Sequence, residues 1–251
     1  AGRRGNGLNS HEKVIVIRTA IIFICLCATL LHADAKSTVF GYSGFIITPT
    51  AEILQDGQVT GNIGRLPKLY AEHYAPYNRT SFIGTMGFLP FMEAAFGFVR
   101  PDNYQGGVGD RTVAIRVQLL KDNGNWPALA IGFHDFFAIE RLDLEPLDAQ
   151  HFAALYFVAS KRFYVPFLNS SLVLNTGYGP DWLPAKDSHL LGWFGGVQYS
   201  PIEQVDLLLE YDTQHFNAGI RFMFFSHLQY SMSFWQLQYV MHQISLNIHL
   251  K

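Results

Sequence analysis

Bulky apolar and polar side chains alternate with a period of two along most of this chain, and the alternation strongly limits the possible folds. It is clearest in segments 112–119, 205–212, 216–224, 228–234 and 244–250. Because successive side chains of a β-strand point to opposite sides, each segment separates an apolar environment from a polar one. Long helical periodicity does not recur, so the sequence predicts an all-β protein.

The strand candidates have the length of membrane strands. Each runs over about 9–12 residues, which is what a tilted strand needs to cross the hydrocarbon layer. About twelve are predicted, near 57–65, 79–89, 91–100, 110–121, 126–137, 150–162, 168–178, 190–200, 203–212, 214–225, 227–236 and 239–250. An even number lets an antiparallel barrel close without an unpaired edge in lipid.

Periodicity alone is equally compatible with a soluble sandwich or a lipocalin-like barrel. Strand ends favour the membrane, because many carry aromatic residues typical of interfacial girdles. Examples are Tyr164, Tyr178, Tyr199, Tyr211 and Trp235. The predicted fold is therefore an antiparallel transmembrane β-barrel of about twelve strands after an N-terminal signal peptide.

The N-terminal region has the layout of a secretory signal. Lys13 and Arg18 precede an apolar run over 19–31, and Ala33-Asp34-Ala35 supplies a small-x-small cleavage site. A retained membrane anchor is the alternative. The predicted division is a signal peptide with upstream residues over 1–35, a segment before the barrel over 36–56, and the barrel over 57–251.

Charge and cysteine content exclude several classes of function. Without 1–35 the chain keeps 14 basic and 18 acidic residues, a net charge of −4, and no basic stripe suited to nucleic acid is visible. Both cysteines, Cys25 and Cys27, lie in the signal, and bulky residues precede Cys25, which argues against a lipoprotein. The sequence indicates no cofactor, and its scattered histidines predict no metal site. The expected location is the outer membrane of a Gram-negative bacterium.

The C-terminal segment 243–250 reads polar-x-small-x-x-apolar-x-apolar. It resembles the signal by which outer-membrane barrels are recognised for assembly, although it ends on Leu250 and Lys251 and not on an aromatic residue. Outer-membrane lipid and the barrel-assembly machinery are therefore the expected partners.

Five ordered stretches carry a family resemblance. They are GFIITPTA at 44–51 with Asp56-Gly57 after it, PALAIGFHD at 127–135, VASKRF at 158–163, FGGVQY at 194–199 and LEYD at 209–212. From about residue 40 onward the chain resembles the YjbH-type exopolysaccharide-biosynthesis outer-membrane proteins. The resemblance implies a barrel that assists the production or export of an exopolysaccharide or capsule, with no established enzymatic activity. It also implies polysaccharide or export components as partners. Longer relatives carry a second barrel, whereas this chain has residues for one.

Charged residues on the polar faces form one candidate site. Those predicted to face the lumen are Arg116, Lys161, Asp206, Glu210, Asp212 and Arg221. They suit a lumen that guides a solute or polymer, or they neutralise one another inside a filled barrel, which is the favoured interpretation.

The family-motif segment is the second candidate. Its residues are Thr48, Pro49, Thr50, Asp56 and Gly57. They form a functional periplasmic or plugging element, or they mark turns before the first strand. No catalytic residue is predicted. A passive porin-like channel and a lipid- or glycan-modifying enzyme remain the alternative functions.

Overall fold

The computed structural model describes residues 36–68, 78–102, 110–135, 153–166, 170–182 and 190–250, and every structural statement below concerns these ranges. The predicted signal peptide lies outside them. No helix in the described part is long and apolar enough to span a membrane.

Twelve antiparallel strands form one closed barrel. They are β1 (Gln58–Leu66), β2 (Arg79–Phe88), β3 (Met92–Pro101), β4 (Asp110–Leu120), β5 (Ala128–His134), β6 (Ala154–Val165), β7 (Ser170–Gly179), β8 (Gly192–Ile202), β9 (Val205–Tyr211), β10 (Phe216–Phe224), β11 (Leu228–Trp235) and β12 (Tyr239–His249). Each strand pairs with its neighbour in sequence, and β12 returns to β1 with Gln58 opposite His249 and Arg65 opposite His242. Closure leaves no free strand edge among these strands, so the predicted antiparallel barrel and its number of strands are confirmed.

The alternating faces separate the lumen from the exterior. On β9, Leu207 and Leu209 are 45% and 50% exposed, whereas Asp206 and Glu210 are each 1% exposed. Bulky apolar side chains therefore point outward and polar ones inward, which is the opposite of a soluble barrel and the arrangement of a transmembrane one.

The prediction of an interfacial position is wrong for one aromatic residue, Trp235. Trp235 is only 3% exposed and packs inside the barrel, with its ring 5.4 Å from His215 and 5.9 Å from Tyr239. Its neighbour Phe234 takes the outward position, because consecutive residues of a strand face opposite sides.

Connection lengths orient the barrel. Short connections join β2 to β3, β8 to β9 and β10 to β11 at the end where β1 begins, whereas the longest ones, 67–78, 135–153 and 180–191, all lie at the other end. Outer-membrane barrels have short periplasmic turns and longer extracellular loops. We therefore call the first end the periplasmic rim and the second the extracellular rim.

Candidate functional site

The segment before the first strand lies inside the barrel. Residues 37–51 are all buried, and we call residues 36–56 the plug segment. It folds back on itself through two isolated bridges, Ser37 to Ser43 and Gly44 to Pro49. Lys36 binds Asp206 at the periplasmic start of β9, and the segment returns to the same rim to enter β1.

An apolar cluster joins the plug segment to the barrel wall. Its plug members are Val39, Phe40, Tyr42, Phe45, Ile46 and Ile47, and its wall members include Leu66, Ile83, Leu208, Trp235 and Met241. Full burial of a large apolar side chain contributes about 1.5–3 kcal/mol, so the cluster supplies much of the free energy that holds the plug segment.

Glu210 is the main polar contact for the plug segment. Its carboxylate accepts hydrogen bonds from the backbone N–H groups of Ile46 at 3.0 Å, Ile47 at 2.9 Å and Thr48 at 3.0 Å. The Thr48 hydroxyl donates a further bond at 2.8 Å, and the Asn217 amide on β10 donates one at 3.1 Å. A buried carboxylate needs such donors, because an unpartnered charge in the interior is very costly.

Glu93 and Arg116 form a second polar contact with the plug segment. They stand directly opposite each other on β3 and β4, with Nε of Arg116 3.2 Å from Oε1 of Glu93, and both are fully buried. Glu93 accepts from the N–H of Ser43 at 2.9 Å and of Leu54 at 2.8 Å, while Arg116 donates to the carbonyl oxygens of Ser43 and Glu52. The wall thus binds both the donors and the acceptors of the plug backbone.

Asp206 on β9 and Arg221 on β10 form a third polar contact with the plug segment. Arg221 lies opposite Asp206 with 3.4 Å between Nη1 and Oδ2, and it donates to the carbonyl oxygens of Gly44 and Phe45. Asp206 also binds Lys36 at 2.8 Å. These charges are compensated by one another and by the plug segment.

Neutral side chains satisfy more of the plug backbone. Gln229 bonds both the N–H and the carbonyl of Ser37, and Gln243 donates to the carbonyl of Thr38 at 2.9 Å. Asn175 donates to the carbonyl of Pro49 at 2.8 Å. Side chains from the wall thereby replace the backbone partners that a strand or helix would provide.

Of the residues predicted to face the lumen, five are buried inside it. Arg116, Glu210 and Arg221 bind the plug backbone directly, and Asp206 binds its Lys36 side chain. Asp212 has another role: it accepts from the backbone N–H of Gln214 and His215 and so caps the β9–β10 turn.

Lys161 departs from the prediction. It lies on the opposite side of β6 from the buried Ser160, and its amine binds Asp122 at 2.7 Å and the carbonyl of Gly124 at 2.8 Å in the β4–β5 connection. A long lysine stem reaches the polar rim from a position on the outer face. Lys161 is therefore a rim contact and not a lumen residue.

This rim contact predicts a pH dependence. Partial burial acts to raise the pKa of Asp122, but hydrogen bonds from Lys161 and from the N–H groups of Arg162 and Gly124 outweigh it and lower the pKa to about 2. A depressed carboxyl pKa stabilises the fold above the unfolded value of about 3.9, and the contribution disappears as pH falls toward 2. We expect the unfolding free energies of the native protein and Asp122→Asn to differ above pH 4 and to converge near pH 2. An offset that stays constant over this range would contradict the assignment.

Some of the family-motif residues lie inside the lumen, and the others form the turn before the first strand. Thr48 and Pro49 bind Glu210 and Asn175 deep in the lumen, and the Thr50 hydroxyl points to the carbonyl of Glu52. Asp56 and Gly57 form a turn into β1: the Asp56 carboxylate accepts from the N–H of Leu89, and Gly57 has a φ of +78°.

Sequence reasoning missed Glu93. It is an isolated acidic residue in the otherwise uncharged start of β3. The available signal was its spacing of three residues from Phe96, which places the two side chains on opposite faces of the strand. Its partner Arg116 follows only from the register of β3 and β4, which the sequence does not specify.

Gly44 offers a test of the plug segment. A Cβ at this position would meet the carbonyl oxygen of Thr48 and come within 3.0 Å of the Cα of Pro49, so the clash is with backbone. We expect Gly44→Ala to lower the unfolding free energy by about 1–3 kcal/mol, as overpacking does. Gly61→Ala is the matched control, because a Cβ there meets nothing within 4 Å. Equal denaturation midpoints for both variants would contradict the tight packing of the plug segment.

Comparison with known proteins gives one family. The family model of YjbH, described as "Exopolysaccharide biosynthesis protein YbjH", matches residues 36–251. No curated protein matches the sequence.

Two solved structures are similar to this chain. A KdgM porin is 8% identical with a TM-score of 0.45, and the match covers 77% of this chain and 99% of the porin. The COG4313 outer membrane channel from Pseudomonas putida F1 is 12% identical with a TM-score of 0.39, and the match covers 82% of this chain and 100% of the channel. The family match spans the plug segment and the whole barrel, and the chain belongs to the YjbH family.

Proposed function

We propose that this outer-membrane barrel assists the production or export of an exopolysaccharide as a non-enzymatic component whose lumen is closed. The observation that carries the proposal is the plug segment, since residues 37–51 are buried within the barrel. The description of the family supports the link to exopolysaccharide.

A filled lumen disfavours a passive pore. Barrels of about eight strands are filled by side chains, whereas those of 16–18 strands leave a water channel. In this barrel of intermediate size, the main lumen charges Glu93, Arg116, Glu210 and Arg221 bind the plug backbone or one another. We infer that the protein acts through partners bound at its rims, and that polymer does not move through its resting lumen.

We further propose that the chain is exported by a cleaved signal ending near Ala35 and carries no lipid anchor. The small-x-small triplet Ala33-Asp34-Ala35 and the bulky residues before Cys25 support this proposal. The mass of the protein isolated from outer membranes tests the cleavage site. A mass that includes residues 1–35 or an attached lipid would contradict it.

Two measurements test the proposed role together. Deletion of the gene is expected to lower matrix polysaccharide without changing uptake of small dyes and antibiotics. The purified barrel is expected to give no stable conductance in a planar bilayer. Unchanged polysaccharide would contradict the role, and a steady open conductance would favour the passive channel.

A further inference from the structure

The outer face of the barrel carries a row of arginines at one sector of the extracellular rim. Arg65 on β1 lies opposite Thr80 on β2, and Thr80 lies opposite Arg100 on β3. Arg111 on β4 lies opposite Phe98, which places it diagonally to Arg100 at a separation of about 7–8 Å. We call Arg65, Thr80, Arg100 and Arg111 the arginine row.

An apolar band lies directly on the membrane side of this row. Ile63, Phe82 and Phe98 come two residues before or after Arg65, Thr80 and Arg100 on the same strand faces. Two residues along a strand correspond to about 7 Å. The rings of Phe82 and Phe98 are stacked with centroids 5.1 Å apart, and Ile63 is exposed.

Only part of the positive charge in the row is compensated within the described residues. Asp102 binds Arg65 with both carboxylate oxygens, one of them at 2.6 Å from Nη1. Arg100 and Arg111 are exposed, and neither forms an ion pair with another described residue. Two exposed guanidinium groups therefore lie at the extracellular ends of β3 and β4.

Among the described residues of this rim, the outward positive charge is confined to this sector. Around the other side of the same rim, the outward positions at the ends of β7–β10 are aromatic: Tyr178, Trp193, Tyr211 and Phe216. Aromatic residues are the general interfacial solution for membrane barrels. The arginine row replaces that solution along β1–β4, and its chemistry points to an anionic partner.

We propose that the arginine row and the apolar band below it form a binding site for a phosphorylated, acylated glycolipid of the outer leaflet. Guanidinium groups bind phosphate through paired N–H donors, which favours arginine over lysine for this task. The acyl chains of the same lipid lie against Ile63, Phe82 and Phe98. The short-turn and long-loop ends of the barrel place the row in the outer leaflet.

The experiment uses the purified barrel in detergent micelles and bisphosphorylated lipid A as the probe, with binding followed by native mass spectrometry. A basic residue near a lipid surface strengthens binding about fivefold, so the loss of each such residue weakens binding by the same factor. We expect Arg111→Gln to weaken binding about fivefold, and Arg100→Gln with Arg111→Gln about 30-fold. Lys121→Gln is the matched control, because Lys121 is an exposed basic residue just after the other end of β4.

Two further arms identify the source of the phosphate. Dephosphorylated lipid A is expected to bind as weakly as bisphosphorylated lipid A binds to the double variant, and inorganic phosphate is expected not to compete at millimolar concentration. The proposal is overturned by equal binding to native and double-variant barrels, by equal binding of the dephosphorylated lipid, or by full competition from inorganic phosphate. Heat-dependent electrophoretic mobility confirms that each variant is folded.

Discussion

Glu210→Gln is expected to lower the unfolding free energy by about 3 kcal/mol, although the two side chains have almost the same shape. The Glu210 carboxylate accepts from three consecutive N–H groups of the plug segment through both of its oxygens. A glutamine amide replaces one acceptor oxygen by a donor aimed at other donors. Removing one member of a buried charged network costs about 3–5 kcal/mol, and glutamine retains part of the bonding.

Glu203→Gln is the matched control for this variant. Glu203 lies in the exposed β8–β9 turn, so the same loss of charge there removes no contact with the plug segment. Unfolding by urea in lipid vesicles, followed by tryptophan fluorescence, measures both free energies. We also expect transient conductance steps from the Glu210 variant only. Equal stability of the two variants would show that Glu210 does not anchor the plug segment.

Phe96→Lys is expected to cost about 2–4 kcal/mol in a bilayer, the penalty for a basic residue at the membrane midplane. Phe96 lies at the centre of β3, is 61% exposed, and faces outward beside Gly84 and Val113. In water a lysine at so exposed a position would cost little. The size of the effect therefore reports the lipid environment and not lost packing within the protein.

Two controls separate depth from chemistry. Phe96→Leu keeps the position apolar and is expected to change stability far less. Phe88→Lys places the same charge at the periplasmic end of β2, where the expected cost falls to about 0–1 kcal/mol. Similar costs at positions 88 and 96 would be incompatible with a membrane that crosses the middle of β3.

The alternation along each strand could be recognised in the sequence because outward positions face lipid and inward positions face the polar lumen. On β9 the sequence predicted the outward Leu207 and Leu209 and the inward Asp206 and Glu210, and the structure has the same arrangement. Lys161 was misassigned because a long flexible side chain near a strand end reaches a polar partner from either face. Trp235 was misassigned because an aromatic residue suits an interface and an apolar interior equally well.

The plug segment was harder to predict, since its conformation depends on the surrounding wall. Residues 36–56 show no strand or helix periodicity, and the structure gives them only two isolated bridges. Their backbone is instead satisfied by side chains such as Glu93, Glu210 and Gln243 on distant strands. A local pattern carries no record of partners that far away, so the sequence left plug and turn as open alternatives.

The distance along the chain between these partners has a consequence for biogenesis. Ile46 and Glu210 are 164 residues apart, and Ser37 and Ser245 are 208 apart. The last strands must be present before the first segment finds its acceptors, and such non-local contacts form slowly. Closure of β1 against β12 and insertion of the plug segment are therefore coupled late events. An assembly intermediate arrested before them would expose the unpaired edges of β1 and β12 to the machinery that folds it.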